Sequence, residues 1–215
     1  MEITMPAGCC NHEPKFDGAS KGFRRALWIV IFINAGMFVV EMATGSLAGS
    51  QALKADALDF LGDTLTYGIS LFVLGMSLRI RSTAALLKGI SLGAMGLWVF
   101  GSTVYQILVL GLPSAPVMGA VGASALAANL ASVAVLMKYK DGDANVRSVW
   151  LCSRNDAIGN VAVMLAAGGV LFTGTAWPDL AVAGVMAGLF LWSSVQIVAQ
   201  SLKERRHAEK FVASK

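Results

Sequence analysis

Apolar residues run through the chain in long stretches that short polar segments interrupt. Six windows of about 20 residues are long enough to form helices across a hydrocarbon core about 30 Å thick. They cover residues 26–45, 52–76, 86–110, 117–137, 148–172 and 180–200. The pattern predicts an all-α membrane protein with an N-terminal segment 1–25, a six-helix transmembrane domain 26–200 and a short tail 201–215.

Composition agrees with this pattern. The chain is 56% hydrophobic and 14% charged, whereas soluble domains are about 45–50% apolar and about 25% charged. The first apolar window follows a polar segment and lacks a cleavage site, so it does not resemble a cleaved signal peptide. We therefore expect the mature protein to keep all six spans.

Basic residues alternate between the predicted connections. If Lys88, at the start of the third window, is counted with the second connection, fifteen of the 17 Lys and Arg residues lie in the N-terminal segment, the second and fourth connections and the tail. Segments 46–51, 111–116 and 173–179 have none. The positive-inside rule then places both termini in the cytoplasm, and we expect a bacterial cytoplasmic membrane. The net charge of +4 is explained by this topology, so no nucleic-acid partner is inferred.

Ionisable residues inside the predicted spans are confined to helices 1, 2 and 5, while helices 3, 4 and 6 are predicted to have none. They are Glu41, Asp56, Asp59, Asp63, Arg154 and Asp156. Such residues are costly in a bilayer and usually face a bundle interior or an aqueous path. Their concentration on three helices indicates a functional site.

Spacing defines that site further. Asp59 and Asp63 lie one helical turn apart on one face of helix 2, and Cys152 and Asp156 repeat the arrangement on helix 5. At about 1.5 Å per residue, both pairs come near the middle of the membrane. Carboxylate and thiolate ligands in this number suit zinc or another first-row divalent metal. Arg154 lies on a different face and is interpreted either as a helix-packing residue or as one whose side chain reaches toward the cytosol.

Several assignments stay open at this point. Asp56 is either a further ligand or the partner of Lys54 in an ion pair. Cys152 is either a ligand or a bystander, in which case Asn155, Asn160 or water completes the site. Asn160 continues the face of Asp156 one turn further along helix 5.

The N-terminal segment contains a second group of metal-binding residue types. Cys9, Cys10 and His12 lie close together on a segment that is predicted to be cytoplasmic, where thiols stay reduced. This segment is either a metal-capture site or a disordered tail with two chance cysteines.

Three stretches resemble the cation diffusion facilitator family of membrane metal exporters. They are NAGMFVVEMATGSLAGSQALKADALDFLGD at residues 34–63, NVRSVWLCSRNDAIGN at residues 145–160, and WPD at residues 177–179. The resemblance assigns the metal ligands to Asp59 and Asp63 in the second helix and to Cys152 and Asp156 in the fifth. Cys152 stands where the family usually has histidine.

The resemblance implies a secondary transporter and no enzyme, which exports a divalent metal by alternating access in exchange for protons. It also implies a homodimer in the lipid bilayer. The expected cargo is zinc, with cobalt, nickel, iron and cadmium as alternatives, and no other cofactor is expected. Typical members continue into a cytoplasmic α/β domain, whereas only fifteen residues follow Gln200 here, so we expect a membrane-only branch.

Other functions were weighed against this one. A buried acid cluster also suits a proton-coupled exporter of small organic cations. A haem protein is disfavoured because the two histidines, His12 and His207, lie outside the predicted spans. An intramembrane aspartyl protease is disfavoured because Phe60 occupies a position where such a protease needs glycine.

Two weaker patterns concern the architecture. Asn34 precedes Asp59, and Asn129 precedes Cys152, by similar distances, which suggests an inverted repeat of the kind found in many transporters. Glycine pairs four residues apart, at 45 and 49, 89 and 93, and 184 and 188, predict close helix packing.

Overall fold

The computed structural model describes residues 20–73, 78–109, 111–139 and 144–213. This part of the chain contains six α-helices, a short 3-10 helix at Met137–Tyr139 and no strand. The α-helices are α1 (Lys21–Ala48), α2 (Gln51–Val73), α3 (Leu78–Val109), α4 (Ala115–Leu136), α5 (Ala144–Thr173) and α6 (Trp177–Ala213). The predicted all-α architecture is confirmed.

The helices have the surface of a membrane protein. Five contain a stretch long and apolar enough to cross a bilayer, with mean hydropathy between 1.5 and 2.0. Large apolar side chains cover the outside of the bundle, and Phe72 and Phe172 are among the most exposed. Because α2 carries Lys54 and three aspartates, it does not meet the same criterion, so the count of six spans stays a prediction.

One helix boundary differs from the sequence prediction in a way that matters. The third helix was expected to begin at residue 86, but α3 begins at Leu78. Lys88, which was assigned to the connection before this helix, lies within α3. A lysine does not end a helix, and its long apolar stem can lie along the bundle while the ammonium reaches polar surroundings.

The two ends of the bundle differ in their connections. One end has the turns at Gly49–Ser50, residues 111–114 and residues 174–176, and we call it the turn end. The other, the basic end, includes the start of α1 with Arg24 and Arg25. There the ring of Phe23 in α1 lies 5.4 Å from that of Tyr139, and Phe23 packs with Tyr67 near the end of α2.

A buried aspartate joins two helices at the turn end. Ser50 Oγ donates to Asp179 Oδ1 over 2.6 Å, and the backbone N–H groups of Gln51 and Ala52 donate to the Asp179 carboxylate over 2.8 and 3.0 Å. Asp179 belongs to the first turn of α6, yet it caps the beginning of α2. These bonds satisfy N–H groups that a helix start leaves without partners.

Close helix packing is confirmed for Gly89 and Gly93 and, in the first pair, for Gly45 alone. A Cβ at Gly93 would lie 2.6 Å from Ser194 Oγ, and one at Gly45 would lie 2.9 Å from Leu53 Cβ. Ser194 also donates to the carbonyl of Gly89 over 2.7 Å. These contacts fix the α3–α6 and α1–α2 pairs.

The remaining glycines behave differently from that prediction. Gly49 has φ 69° and ends α1 in the left-handed conformation, so it serves a turn and not a packed face. Gly184 and Gly188 have no side-chain or other-helix atom within 4 Å of an added Cβ in the described structure.

Helices α2 and α5 run antiparallel. Near the turn end, Ala52 and Leu53 of α2 pack with Met118 of α4 and with the second half of α5, between Val163 and Val170. Further toward the basic end, Asp59 interacts with Asp156. This register brings the middles of α2 and α5 together.

Candidate metal centre

The acidic helix α2 exposes its three aspartates to different degrees. Asp59 and Asp63 are half-buried, whereas Asp56 is only 2% exposed. All three lie in the central part of α2, and Asp56 is one turn nearer the turn end than Asp59. The helix therefore carries one nearly enclosed acid and two acids that retain access to open space.

Helix α5 brings a third carboxyl group to the two accessible ones. Asp59 and Asp63 each have a side-chain hydrogen bond with Asp156. A hydrogen bond between two carboxyl groups contains a proton, because an ionised carboxylate can only accept. The structure thus brings together three of the four ligands that the sequence predicted.

The fourth predicted ligand is Cys152. Its position in α5 is one turn from Asp156 toward the basic end, but its side chain lies outside the part of the structure that is described. Among the described residues, no group of three or more His, Cys, Asp or Glu side chains is arranged to hold a metal ion. Ligation by this cluster therefore stays a prediction.

Tyr67 is a functional candidate that the sequence reasoning missed. Its hydroxyl donates to Asp63 Oδ2, and its side chain is fully buried. The ring packs against Phe23, Leu27 and Leu136, which fixes where the hydroxyl points. The signal was present in the sequence, because Tyr67 follows Asp63 by one further turn on the face that Asp59 and Asp63 share.

A cavity of about 320 Å³ reaches the two accessible aspartates. It lies between α2, α3 and α6 on the basic side of Asp59, and Asp63, Lys88, Ser91 and Ile197 are among the residues that line it. Lys88 attracts the Asp63 carboxylate electrostatically. The cavity thus lies beside the acid cluster, in the half of the bundle that ends at the basic end.

Two further acids lie on the opposite side of the cluster. Asp56 lies close to Glu41 of α1, and both also interact electrostatically with Asp59. Glu41 is 0% exposed. Lys54, the predicted ion-pair partner of Asp56, acts on Asp179 instead. Asp56 is therefore part of an acid pair with Glu41.

Asn160 is fully buried in α5, and neither of its amide atoms has a hydrogen-bond partner in the described structure. It lies one turn from Asp156 toward the turn end. The other predicted metal-binding group, Cys9, Cys10 and His12, lies outside the described residues.

Comparison with known proteins decides the family. Residues 27–204 match the model of the cation efflux transmembrane domain. The chain belongs to the cation efflux family. The resemblance to the cation diffusion facilitators is therefore confirmed, and this cation efflux domain is an integral multi-pass membrane protein.

Curated relatives are bacterial proteins. The metal cation efflux system protein CzcD of Cupriavidus metallidurans is 29% identical over 192 residues, which cover 84% of this chain and 60% of CzcD. The zinc transporter ZitB of Escherichia coli is 26% identical over 207 residues, covering 90% of this chain and 64% of ZitB.

A third relative is the cadmium, cobalt and zinc/H(+)-K(+) antiporter of Bacillus velezensis. It is 22% identical over 211 residues, which cover 89% of this chain and 65% of the relative. The chain thus spans between 60% and 65% of the length of these three relatives.

Proposed function

We propose that this cation efflux domain exports divalent metal ions from the cytoplasm in exchange for protons. The observation that carries the proposal is the meeting of Asp59, Asp63 and Asp156 in the middle of the helical bundle, beside a cavity that reaches two of them. Acids at that depth are costly in a membrane protein unless they serve transport or a proton path. Cys152 is proposed as the fourth ligand.

The cavity supports an inward-facing arrangement. If the basic end faces the cytoplasm, as its arginines and lysines favour, the cavity gives cytoplasmic ions access to Asp59 and Asp63. At the turn end, Leu53, Met118 and Val163 pack into a buried apolar cluster. Export then requires the helices to rearrange until this cluster opens and the cavity closes.

Competition for the same oxygen atoms supports coupling to protons. The carboxyl groups of Asp59, Asp63 and Asp156 are joined by hydrogen bonds that each need a proton. A divalent ion needs the same oxygens in their ionised form, so metal binding releases protons and protonation releases metal. Mutually exclusive binding is sufficient to couple the two fluxes.

Ligand chemistry favours zinc as the cargo. Three carboxylates with a thiolate form a borderline-soft set that suits zinc, cadmium and cobalt better than magnesium or manganese. The names of relatives mention zinc, cadmium and cobalt, which agrees with this choice. An exporter of organic cations has no comparable support.

Transport by purified protein in liposomes tests the proposal. With a pH gradient across the membrane, the wild type should move zinc, and Asp63→Asn and Asp156→Asn should each abolish the movement. Asp141→Asn, in the connection between α4 and α5, is the matched control and should transport normally. Undiminished zinc transport by both site variants would overturn the assignment.

The role of Cys152 needs a separate variant. Cys152→Ser should retain transport but shift the preference from cadmium and zinc toward harder ions, because a hydroxyl replaces a thiolate. An unchanged order of metal preference would show that Cys152 is not a ligand.

A further inference from the structure

Lys88 places a positive charge in the wall of the cavity beside the acid cluster. The residues of α3 that line this cavity include Lys88, Ser91, Leu92 and Met95, which recur every three or four positions and so share one face of the helix. Lys88 is half-buried. Within the described part of the chain, it is the only basic residue that lines this cavity.

The backbone beside Lys88 is held tightly against α6. A Cβ added at Gly89 would lie 2.9 Å from Val198 Cγ2 and 3.2 Å from the backbone nitrogen of Val198. The carbonyl of Gly89 accepts a hydrogen bond from Ser194 over 2.7 Å. Because α3 is fixed in rotation at this point, the side chain of Lys88 starts from a defined position, and its flexible four-carbon stem supplies the movement of the ammonium.

Two observations join Lys88 to Asp63. Both residues line the same cavity, and the lysine attracts the Asp63 carboxylate electrostatically. An ammonium group is a compact point charge, so beside a carboxylate it has the same charge as a bound potassium ion. The chain thus supplies Asp63 with a monovalent cation of its own.

The acids alone would not distinguish a divalent metal from potassium. Carboxylate oxygens also accept hard cations, and the cytoplasm contains far more potassium than free zinc. The cavity volume of about 320 Å³ is far above the roughly 15 Å³ that one water molecule needs. Size therefore does not exclude a hydrated potassium ion from Asp59 and Asp63.

We propose that Lys88 is a specificity-determining residue, a tethered cation that excludes potassium and other monovalent ions from Asp63 but allows a divalent metal to bind. A monovalent ion that replaces the ammonium exchanges one unit charge for another, so it gains no Coulomb energy. A divalent ion brings twice the charge to the same carboxylates and gains more than the ammonium loses. Lys88 thus acts against the wrong ion, which is one of the two ways to obtain specificity.

This inference rests on the proposed export function, and the first test does not depend on zinc. Thermal unfolding of the full chain in detergent is compared in potassium chloride and in N-methylglucamine chloride at the same ionic strength. Potassium should raise the unfolding temperature of Lys88→Gln by about 2 °C. It should leave the wild type and the control Lys203→Gln, at an exposed position of α6, unchanged. Equal responses of Lys88→Gln and the wild type overturn the inference.

Zinc affinity in the same two salts provides the second test. Equilibrium dialysis should show that Lys88→Gln binds zinc about fourfold more weakly in the potassium salt, as with a competitor at about three times its dissociation constant. The wild type and Lys88→Arg, which keeps the charge, should bind equally in both salts. Lys88→Met keeps an unbranched apolar stem and should behave as Lys88→Gln. A lysine that only positions Asp63 would lower the affinity equally in both salts, and that result overturns the inference.

Failure of the export function gives a different pattern. If the wild type neither binds nor transports zinc, but potassium stabilises Lys88→Gln alone, the export function fails and the exclusion of monovalent ions by Lys88 stands. If zinc is exported, but potassium has no specific effect on Lys88→Gln, the export function stands and this inference fails.

Discussion

The two halves of the bundle treat their acids in opposite ways. On the basic side, Asp63 accepts a hydrogen bond from Tyr67, is attracted by Lys88 and borders an open cavity. On the turn side, Glu41 and Asp56 are enclosed, and their carboxyl groups interact with each other. Acidic side chains thus border a cavity in one half of the bundle and are enclosed in the other, as expected of a pathway that is open at one end only.

The largest expected effect contrasts two buried acids of the turn side. Asp179→Ala leaves the N–H groups at the start of α2 without acceptors and should lower the free energy of unfolding by about 3 kcal/mol. Glu41→Leu replaces a buried acid, which interacts only with acids in the described structure, by an apolar side chain, and it should leave the free energy of unfolding unchanged or raised. Thermal unfolding in detergent measures both, and a clear loss for Glu41→Leu would contradict the contrast.

The rate at which a thiol reagent labels an introduced cysteine should differ by about 100-fold between two positions of α3, because only an exposed thiolate reacts readily. Ser91 lines the cavity, whereas Thr103 is buried three turns nearer the turn end. Ser91→Cys and Thr103→Cys are compared in a chain whose three native cysteines are replaced by serine. A membrane-impermeant thiol reagent applied at the basic end should label the first rapidly, and similar rates would show that the cavity does not define the access route.

Removing the hydroxyl of Tyr67 should lower the zinc affinity of the site that contains Asp63 about tenfold, because groups that orient a metal ligand contribute to affinity. In Tyr67→Phe the ring still fills its buried position, but Asp63 loses the donor that orients it. Zinc affinity by equilibrium dialysis is the measurement. Tyr105→Phe, at a 65% exposed side chain, is the control, and equal affinities for the two variants would remove Tyr67 from the site.

The smallest expected effect concerns the cation in the cavity. Lys88→Gln removes a positive charge beside Asp63, so a divalent ion meets less repulsion and should bind a few-fold more tightly at low ionic strength. Lys203→Gln, at an exposed position of α6, should have no such effect. Weaker zinc binding by Lys88→Gln would show that the lysine positions Asp63 more than it repels the ion.

The helices and the main acid cluster were predictable because both depend on local spacing. Apolar length indicated the helices, and one-turn spacing indicated that Asp59 and Asp63 share a face and that Asp156 continues the face of Cys152. Because the pairs on the second and fifth helices were predicted at the same depth in the membrane, they were expected to meet each other. Asp59, Asp63 and Asp156 do meet in the structure.

What the sequence did not reveal depends on contacts between distant segments. Asp179 was noticed as part of a motif, but its bond to Gln51 joins residues 128 positions apart. Lys88 was counted with the connection before the third helix, but it lies within α3. Glu41 was recognised as an intramembrane acid, but only its enclosure beside Asp56 distinguishes it from a residue that pairs with a cation.

The bonds at the start of α2 have a kinetic consequence. Residues 48–51 connect to three other helices: Ala48 accepts from Ser114, the N-cap of α4, over 2.9 Å, Gln51 accepts from Ser102 of α3 over 3.0 Å, and Asp179 of α6 caps the helix. The basic end is held by apolar packing of Phe23, Leu27 and Leu136. Opening the turn end instead breaks buried bonds, so the outward step should have the larger activation enthalpy, and export should slow more steeply on cooling than metal uptake into the cavity.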